Sequence, residues 1–214
     1  MAQHQNIPQG AYSTDMPGGP SYTLARRLSQ TFHPIPMNLA SFLIVGFNAL
    51  STRAAGLGWA VLCILTMLMP PILFYYVRLR QGAYSDEDIS VREQRNELYL
   101  FGLVWVLLAS LGLALFGAPR PFLALMVSAL ALGLSSGLIN LFWKISAHSS
   151  AVASAATIAL LYWRPLGVLL WVCAVAVGWA RVRTRNHTPM QVLAGFALAT
   201  GIIMLAFGIL GLHG

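Results

Sequence analysis

An all-α, polytopic membrane bundle of six or seven transmembrane segments is the fold this sequence predicts, and three observations predict it. Of 214 residues, 57% are hydrophobic and only 9% charged, whereas a soluble domain carries about 25% charged residues. The apolar residues gather in long runs without strand-like alternation, and lipid accepts only helices or closed barrels as spanning structures. The charges and prolines collect in the breaks between those runs, where membrane-embedded helices end. Residues 1–35 are rich in Gln, Pro, Gly, Ser and Thr with no apolar period, and read as a disordered polar tail. Residues 36–214 form the membrane domain.

The first apolar stretch, Asn38–Leu50, is short for a span, which needs about 20 residues. A tilted, partly buried or re-entrant helix fits it, hence six or seven segments. Ala54–Val77 is a full span with Pro70-Pro71 inside it, which should kink or interrupt the helix, and Arg78 and Arg80 close it. Gln81–Glu97 is the one long polar loop between spans and holds five of the six acidic residues. Within it Ser90-x-x-Glu93 matches a capping box, which would set Arg92 and Arg95 on one face of the helix it starts. Leu98–Gly117 and Phe122–Trp143 are the next spans, the second with Gly133-x-x-x-Gly137 as a close-packing site. Ser149–Trp163 is almost entirely small residues over its first half, so its backbone can approach its neighbours and it should lie at the bundle centre. Leu166–Ala180 returns the chain. Thr188–Leu212 is the last span, opened by Thr188-Pro189-x-Gln191, which joins an N-cap, a first-turn proline and a capping-box partner.

Three polar islands interrupt this apolar chain: Asp88–Arg95, Lys144–Ser150 around His148, and Arg181-Val182-Arg183-Thr184-Arg185-Asn186-His187. Arg181-x5-His187 places a fixed cation and an imidazole within reach of one phosphoryl group. Arginine suits multidentate phosphate recognition, and histidine can serve as nucleophile or proton donor. Alternating segments bring all three islands to one membrane face. Of the 13 Lys and Arg residues only Arg53, Arg120 and Arg164 fall on the other face, so the positive-inside tendency puts the islands in the cytoplasm. The basic net charge does not point to nucleic acid, because aromatic platforms interleaved with the arginines are missing. Cys63 and Cys173 lie in apolar runs and read as small hydrophobes.

On these residues the chain resembles the type 2 phosphatidic acid phosphatase superfamily of metal-independent lipid phosphate phosphatases, over roughly residues 70–205. The family's third motif, Ser-Arg-x5-His-x3-Asp, is matched by Arg181-x5-His187 with Ala180 for the serine and Gln191 for the aspartate. Its second, Pro-Ser-Gly-His, is matched by Ser146-Ala147-His148 with Ile145 and Ala147 as departures. The first, Lys-x6-Arg-Pro, is loosest: Arg95 stands for its arginine, and a prokaryotic variant, Asp-x3-Arg-x2-Arg, fits Asp88, Arg92 and Arg95 better.

The resemblance implies hydrolysis of a lipid phosphate or diphosphate, of the polyprenyl diphosphate or phosphatidate class, through a phosphohistidine. His187 would attack phosphorus and His148 would protonate the departing oxygen. Arg92, Arg95, Arg181, Lys144 and the main chain near Ser146 and Ala147 would hold the phosphate. Gln191 would either orient His187 or merely complete the Thr188 cap, and both readings stand. No metal and no cofactor are expected. The expected partners are the lipid substrate and the bilayer, with a homo-oligomer open. A catalytically silent subunit on the same scaffold and a lipid phosphotransferase are the rival functions.

Overall fold

The protein is described by a computed structural model over residues 19–212. The described residues form nine α-helices: α1 (Pro20–Thr31), α2 (Pro34–Asn48), α3 (Arg53–Cys63), α4 (Met69–Arg80), α5 (Arg95–Leu115), α6 (Arg120–Asn140), α7 (Ala147–Tyr162), α8 (Arg164–Arg183) and α9 (Pro189–Ile209). A π-helical turn, Ile64–Leu68, joins α3 to α4, and a 3-10 turn, Arg92–Gln94, leads into α5. Five stretches are long and apolar enough to cross a membrane: Arg53–Arg80, Arg92–Leu115, Arg120–Asn140, Arg164–Arg183 and Pro189–Ile209. The apolar α2 and α7 are shorter, at 15 and 16 residues.

Helix α7 is the axis of the bundle. Every residue from His148 to Ala159 is buried, enclosed chiefly by α8, α9 and α2. Its Ala and Ser side chains allow this, as its composition predicted. Two glycines allow the close approach: a Cβ on Gly167 of α8 would stand 2.5 Å from the Leu160 nitrogen, and one on Gly195 of α9 would stand 2.9 Å from the Ser146 carbonyl oxygen and 3.1 Å from the Ser149 Cβ.

Helices α2 and α3 cross more tightly still. A Cβ on Gly56 would collide with the Gly46 carbonyl, and one on Gly46 would lie 2.8 Å from the Ala60 Cβ. Both obstacles belong to packed helices, so Gly56→Ala should cost about 1–3 kcal/mol. A lowered thermal midpoint in detergent checks this. Gly58→Ala, with nothing within 4 Å of its new methyl, should leave the midpoint unchanged or raise it. Of the Gly133-x-x-x-Gly137 site only the second glycine meets a neighbour, since a Cβ on Gly137 would lie 3.5 Å from the Tyr99 Cβ of α5, whereas nothing lies within 4 Å of one on Gly133, which borders a cavity.

The prolines at 70 and 71 do not interrupt their helix. The backbone widens into the π-turn just before them. The Trp105 indole N–H donates to the Thr66 carbonyl at 2.7 Å, satisfying the oxygen that Pro70 has no N–H to meet.

Two other expectations need correction. Part of the stretch read as a disordered tail is helix α1, opened by Pro20 and buried against α8 through Ala25 and Ser29; residues 1–18 lie outside the described residues. The Ser90-x-x-Glu93 capping box does not form. Ser90 turns back to Asp86, donating both N–H and hydroxyl to its carboxylate, and α5 begins only at Arg95. Arg92 and Arg95 take separate partners, the Asn140 carbonyl for Arg92 and the Asp88, Ile89 and Ile145 carbonyls for Arg95.

The end of the bundle that matters is built from four connections. They are the entry to α2 at His33, the 81–91 loop, the α6–α7 turn and the α8–α9 turn. Arg95 links loop to α6–α7 turn through Ile145 O at 3.3 Å, and Lys144 links that turn to α8–α9 through Asn186 O at 3.0 Å. The three polar islands meet there, as predicted, while α9 carries the chain to the opposite end.

Candidate active site

The α8–α9 turn explains the Arg-x5-His spacing. Arg185 adopts a left-handed conformation (φ 58°) and folds the chain back. The N–H groups of Asn186 and His187 then both donate to the Arg181 carbonyl, at 3.1 and 3.2 Å, closing a helix C-terminus with its own next residues. Arg181 and His187 end up side by side and almost fully buried.

Gln191 fills both of the roles that were alternatives on sequence. Its side-chain oxygen accepts from the Thr188 N–H at 3.1 Å and lies 3.2 Å from His187 Nδ1, while Thr188 completes the capping box. A main-chain N–H can only donate, so it is the oxygen of the amide that faces this corner. His187 Nδ1 must then carry the proton, which leaves the lone pair on Nε2. Burial, followed by the nearby Arg181, Lys144 and Arg95 charges, pushes the His187 pKa down to about 3, with the Gln191 hydrogen bond opposing. The imidazole is therefore neutral at pH 7. Because the unfolded chain would protonate it near 6.5 and the folded one would not, its contribution to stability is present above that value and lost as pH falls toward 3. Nitrogen NMR should show a neutral His187 down to pH 5, and a midpoint near 6.5 would contradict the burial argument.

His148 stands at the second position of α7, capped by Ser146, whose hydroxyl accepts from Ser149 N–H at 3.3 Å. The helix start presents main-chain N–H groups at Ala147 and His148 with no intrahelical partner, a favourable place for an anion. His148 borders two spaces. One is a cavity of about 410 Å³, mostly apolar, between α2, α4, α5, α6 and α7, with His187 also on its wall. It runs beside α7 from His148 to Ile158, ~15 Å of helix rise. The other is a polar chamber of about 370 Å³ under α1, bordered by Tyr22, Arg26, Asp88, Arg181 and Asn186.

The basic residues divide. Arg181, 1% exposed, gives one N–H to Asp88 Oδ2 at 3.1 Å, and its Nε finds no partner among the described residues. Lys144 is half-buried beside His187; burial and then the Arg95 and Arg181 charges lower its pKa. Arg95 directs its guanidinium at main-chain carbonyls, of Ile89 at 2.8 Å, Asp88 at 3.0 Å and Ile145 at 3.3 Å. It borders the cavity but acts as a clamp on the loop. Arg92 pairs with Glu93 at 2.7 Å and with the Asn140 carbonyl at 3.0 Å, and borders neither space. The structure thus brings Arg181, Lys144, Ser146, Ala147, His148, His187 and Gln191 together, and leaves Arg92 aside.

Two residues at this site were not assigned a place in it on sequence. Asp88 accepts from Arg181 and from Asn186 Nδ2 (2.6 Å) and sets Oδ1 3.7 Å from His148 Nε2. Its only sequence signal was its place in the Asp-x3-Arg-x2-Arg pattern. His33 caps α2 and meets the His148 ring edge-on, centroids 5.2 Å apart. Burial, partly opposed by Asp88, lowers its pKa.

The comparisons with known proteins bear on this arrangement. A family model described as the PAP2 superfamily matches residues 96–212. The chain belongs to the PAP2 superfamily. Members are generally phosphatases acting on phosphate esters, often of lipids. No curated protein and no solved structure matches the chain. The PAP2 match contains both histidines, Arg181 and Gln191 and starts immediately after Arg95, so α1 to α4 and the Asp88 loop lie outside it.

Proposed function

We propose that this PAP2 protein is a membrane phosphatase that hydrolyses a lipid phosphate or diphosphate through a phosphohistidine on His187, without a metal. The observation that carries the reading is the position of the two histidines at the head of a ~15 Å apolar cavity. A hydrocarbon tail would lie along α7, with its phosphate at the Arg181–His187 turn. His187 Nε2 would attack phosphorus while His148 gives a proton to the departing oxygen, and water entering by the polar chamber would release the phosphate with His148 as base. Arg181, the α7 amides and Lys144 would stabilise the transferring phosphoryl group. The polyprenyl diphosphate and phosphatidate classes both present such a tail and head, and the excess of Lys and Arg on this end favours a cytoplasmic site.

One observation favours the silent-subunit rival: Gln191 replaces a carboxylate beside the nucleophile. A single assay addresses both readings. Purified protein should release phosphate from a panel of polyprenyl and diacylglycerol phosphates, be unaffected by chelator, and be inhibited by vanadate. Activity abolished by chelator and restored by magnesium would overturn the metal-free reading, and no release from any substrate would favour the silent subunit.

A further inference from the structure

Asp88 plays no part in the reaction just described, although the fold holds it in place from several directions. The Asp88 N–H donates to Asp86 Oδ1 at 2.9 Å, and the Tyr75 hydroxyl donates to the Glu87 carbonyl at 2.7 Å. Arg95 holds the carbonyls of Asp88 and Ile89. Ile89 itself, buried against Tyr75 and Tyr84, has φ 47°, a left-handed conformation that a β-branched residue adopts only under constraint. Held this way, the Asp88 carboxylate reaches Arg181, Asn186 and His148 across the bundle.

The groups facing His148 explain what a carboxylate would do there. Arg181 comes from α8, Arg95 from α5, His33 from ahead of α2 and His187 from the α8–α9 turn. All are cationic or imidazole. Asp86 is engaged with Ser85 and Ser90, and Glu87 is exposed. Asp88 is the anion within ion-pair distance of the ring. Burial, then the Arg181, His33, His187 and Arg95 charges, lower the His148 pKa well below its ordinary value, and a carboxylate beside the ring is the group that opposes such a shift. Gln191, at the other histidine, is neutral.

We propose that Asp88 is a positioning residue that supplies, from the 81–91 loop, the negative charge the third motif lacks, fixing Arg181 and Asn186 and raising the proton affinity of His148 for its turn as proton donor. The inference rests on His148 as the proton donor. His148 passes its proton to the ester oxygen as the P–O bond breaks and the His187 N–P bond forms, and recovers one from the water that cleaves the N–P bond. Asp88 remains a carboxylate throughout.

The test is Asp88→Asn in the full-length protein, nearly isosteric and uncharged, with Asp88→Glu as the conservative variant. In nitrogen NMR the His148 midpoint should fall by ~1–3 pH units in Asp88→Asn and return partly in Asp88→Glu. On a lipid phosphate kcat should drop by ~10–100-fold, and on nitrophenyl phosphate, which needs little leaving-group protonation, by much less. An unmoved midpoint, or a wild-type His148 that stays neutral to pH 4, overturns the proposal. So does equal loss on both substrates with a lowered thermal midpoint, which marks a structural role. A higher kcat/KM through a lower KM also overturns it, since Asp88 would then only compete with phosphate for Arg181. If the wild type releases no phosphate from any substrate and the midpoint still shifts, the function fails while the role of Asp88 stands.

Discussion

His187→Ala should abolish turnover on every substrate, by roughly four orders of magnitude or more, and no phosphoenzyme should be trapped from labelled substrate. The effect is this large because removing a nucleophile removes the two-step path itself and not merely one contact in it. The variant should nonetheless fold. Gln191 Oε1 keeps its bond from the Thr188 N–H, the Thr188 hydroxyl still accepts from Gln191 N–H, and the turn at Arg181 is closed by main-chain groups. A thermal midpoint within a few degrees of wild type, together with lost labelling, is the expected pair of results. Retained labelling would move the nucleophile elsewhere, and His148 or His33 would be the groups to examine.

How far the sequence could be read depended on how local each signal was. The α7 stretch of small residues, the Thr188 cap and the Arg181-x5-His187 spacing each announce a structure completed within a few residues, and all three were legible. Gln191 was legible as two alternatives because a capping-box oxygen and a histidine four residues back are compatible with either bond, and the structure makes both at once. Asp88 was not assigned a place in the site, because its partners lie 93 and 98 residues away and nothing local marks which of several acids in the loop turns inward. The clamping role of Arg95 was hidden for a different reason, since its bonds to Ile89, six residues away, and Ile145 depend on a loop conformation that no propensity favours. Arg92 falls outside the site because Glu93 and the Asn140 carbonyl engage its guanidinium, and the second of these partners lies 48 residues away. Helix α1 reads as a tail because its composition is polar. Tyr22, Ala25 and Ser29 nevertheless recur at helical spacing, and that stripe faces α8 and the polar chamber.

His148→Ala should lower kcat on an alkyl or prenyl phosphate by ~10²–10⁴-fold and be largely rescued on nitrophenyl phosphate. An alkoxide departs poorly without a proton, whereas a nitrophenolate leaves as a stable anion and gains little from an acid. Position supports the assignment, because His148 lies between the apolar cavity and the polar chamber, so its ring can face the oxygen that joins tail to phosphate. The loss should be confined to chemistry: Ser146 still caps α7, so the α7 amides remain available to phosphate and KM should change little. Labelling offers a second readout. With nitrophenyl phosphate the variant should form the phosphoenzyme readily and release it slowly, because the base that activates water is also missing, and the labelled fraction at steady state should exceed wild type. Equal loss on both substrates, with no accumulated phosphoenzyme, would contradict the division of labour between the two histidines.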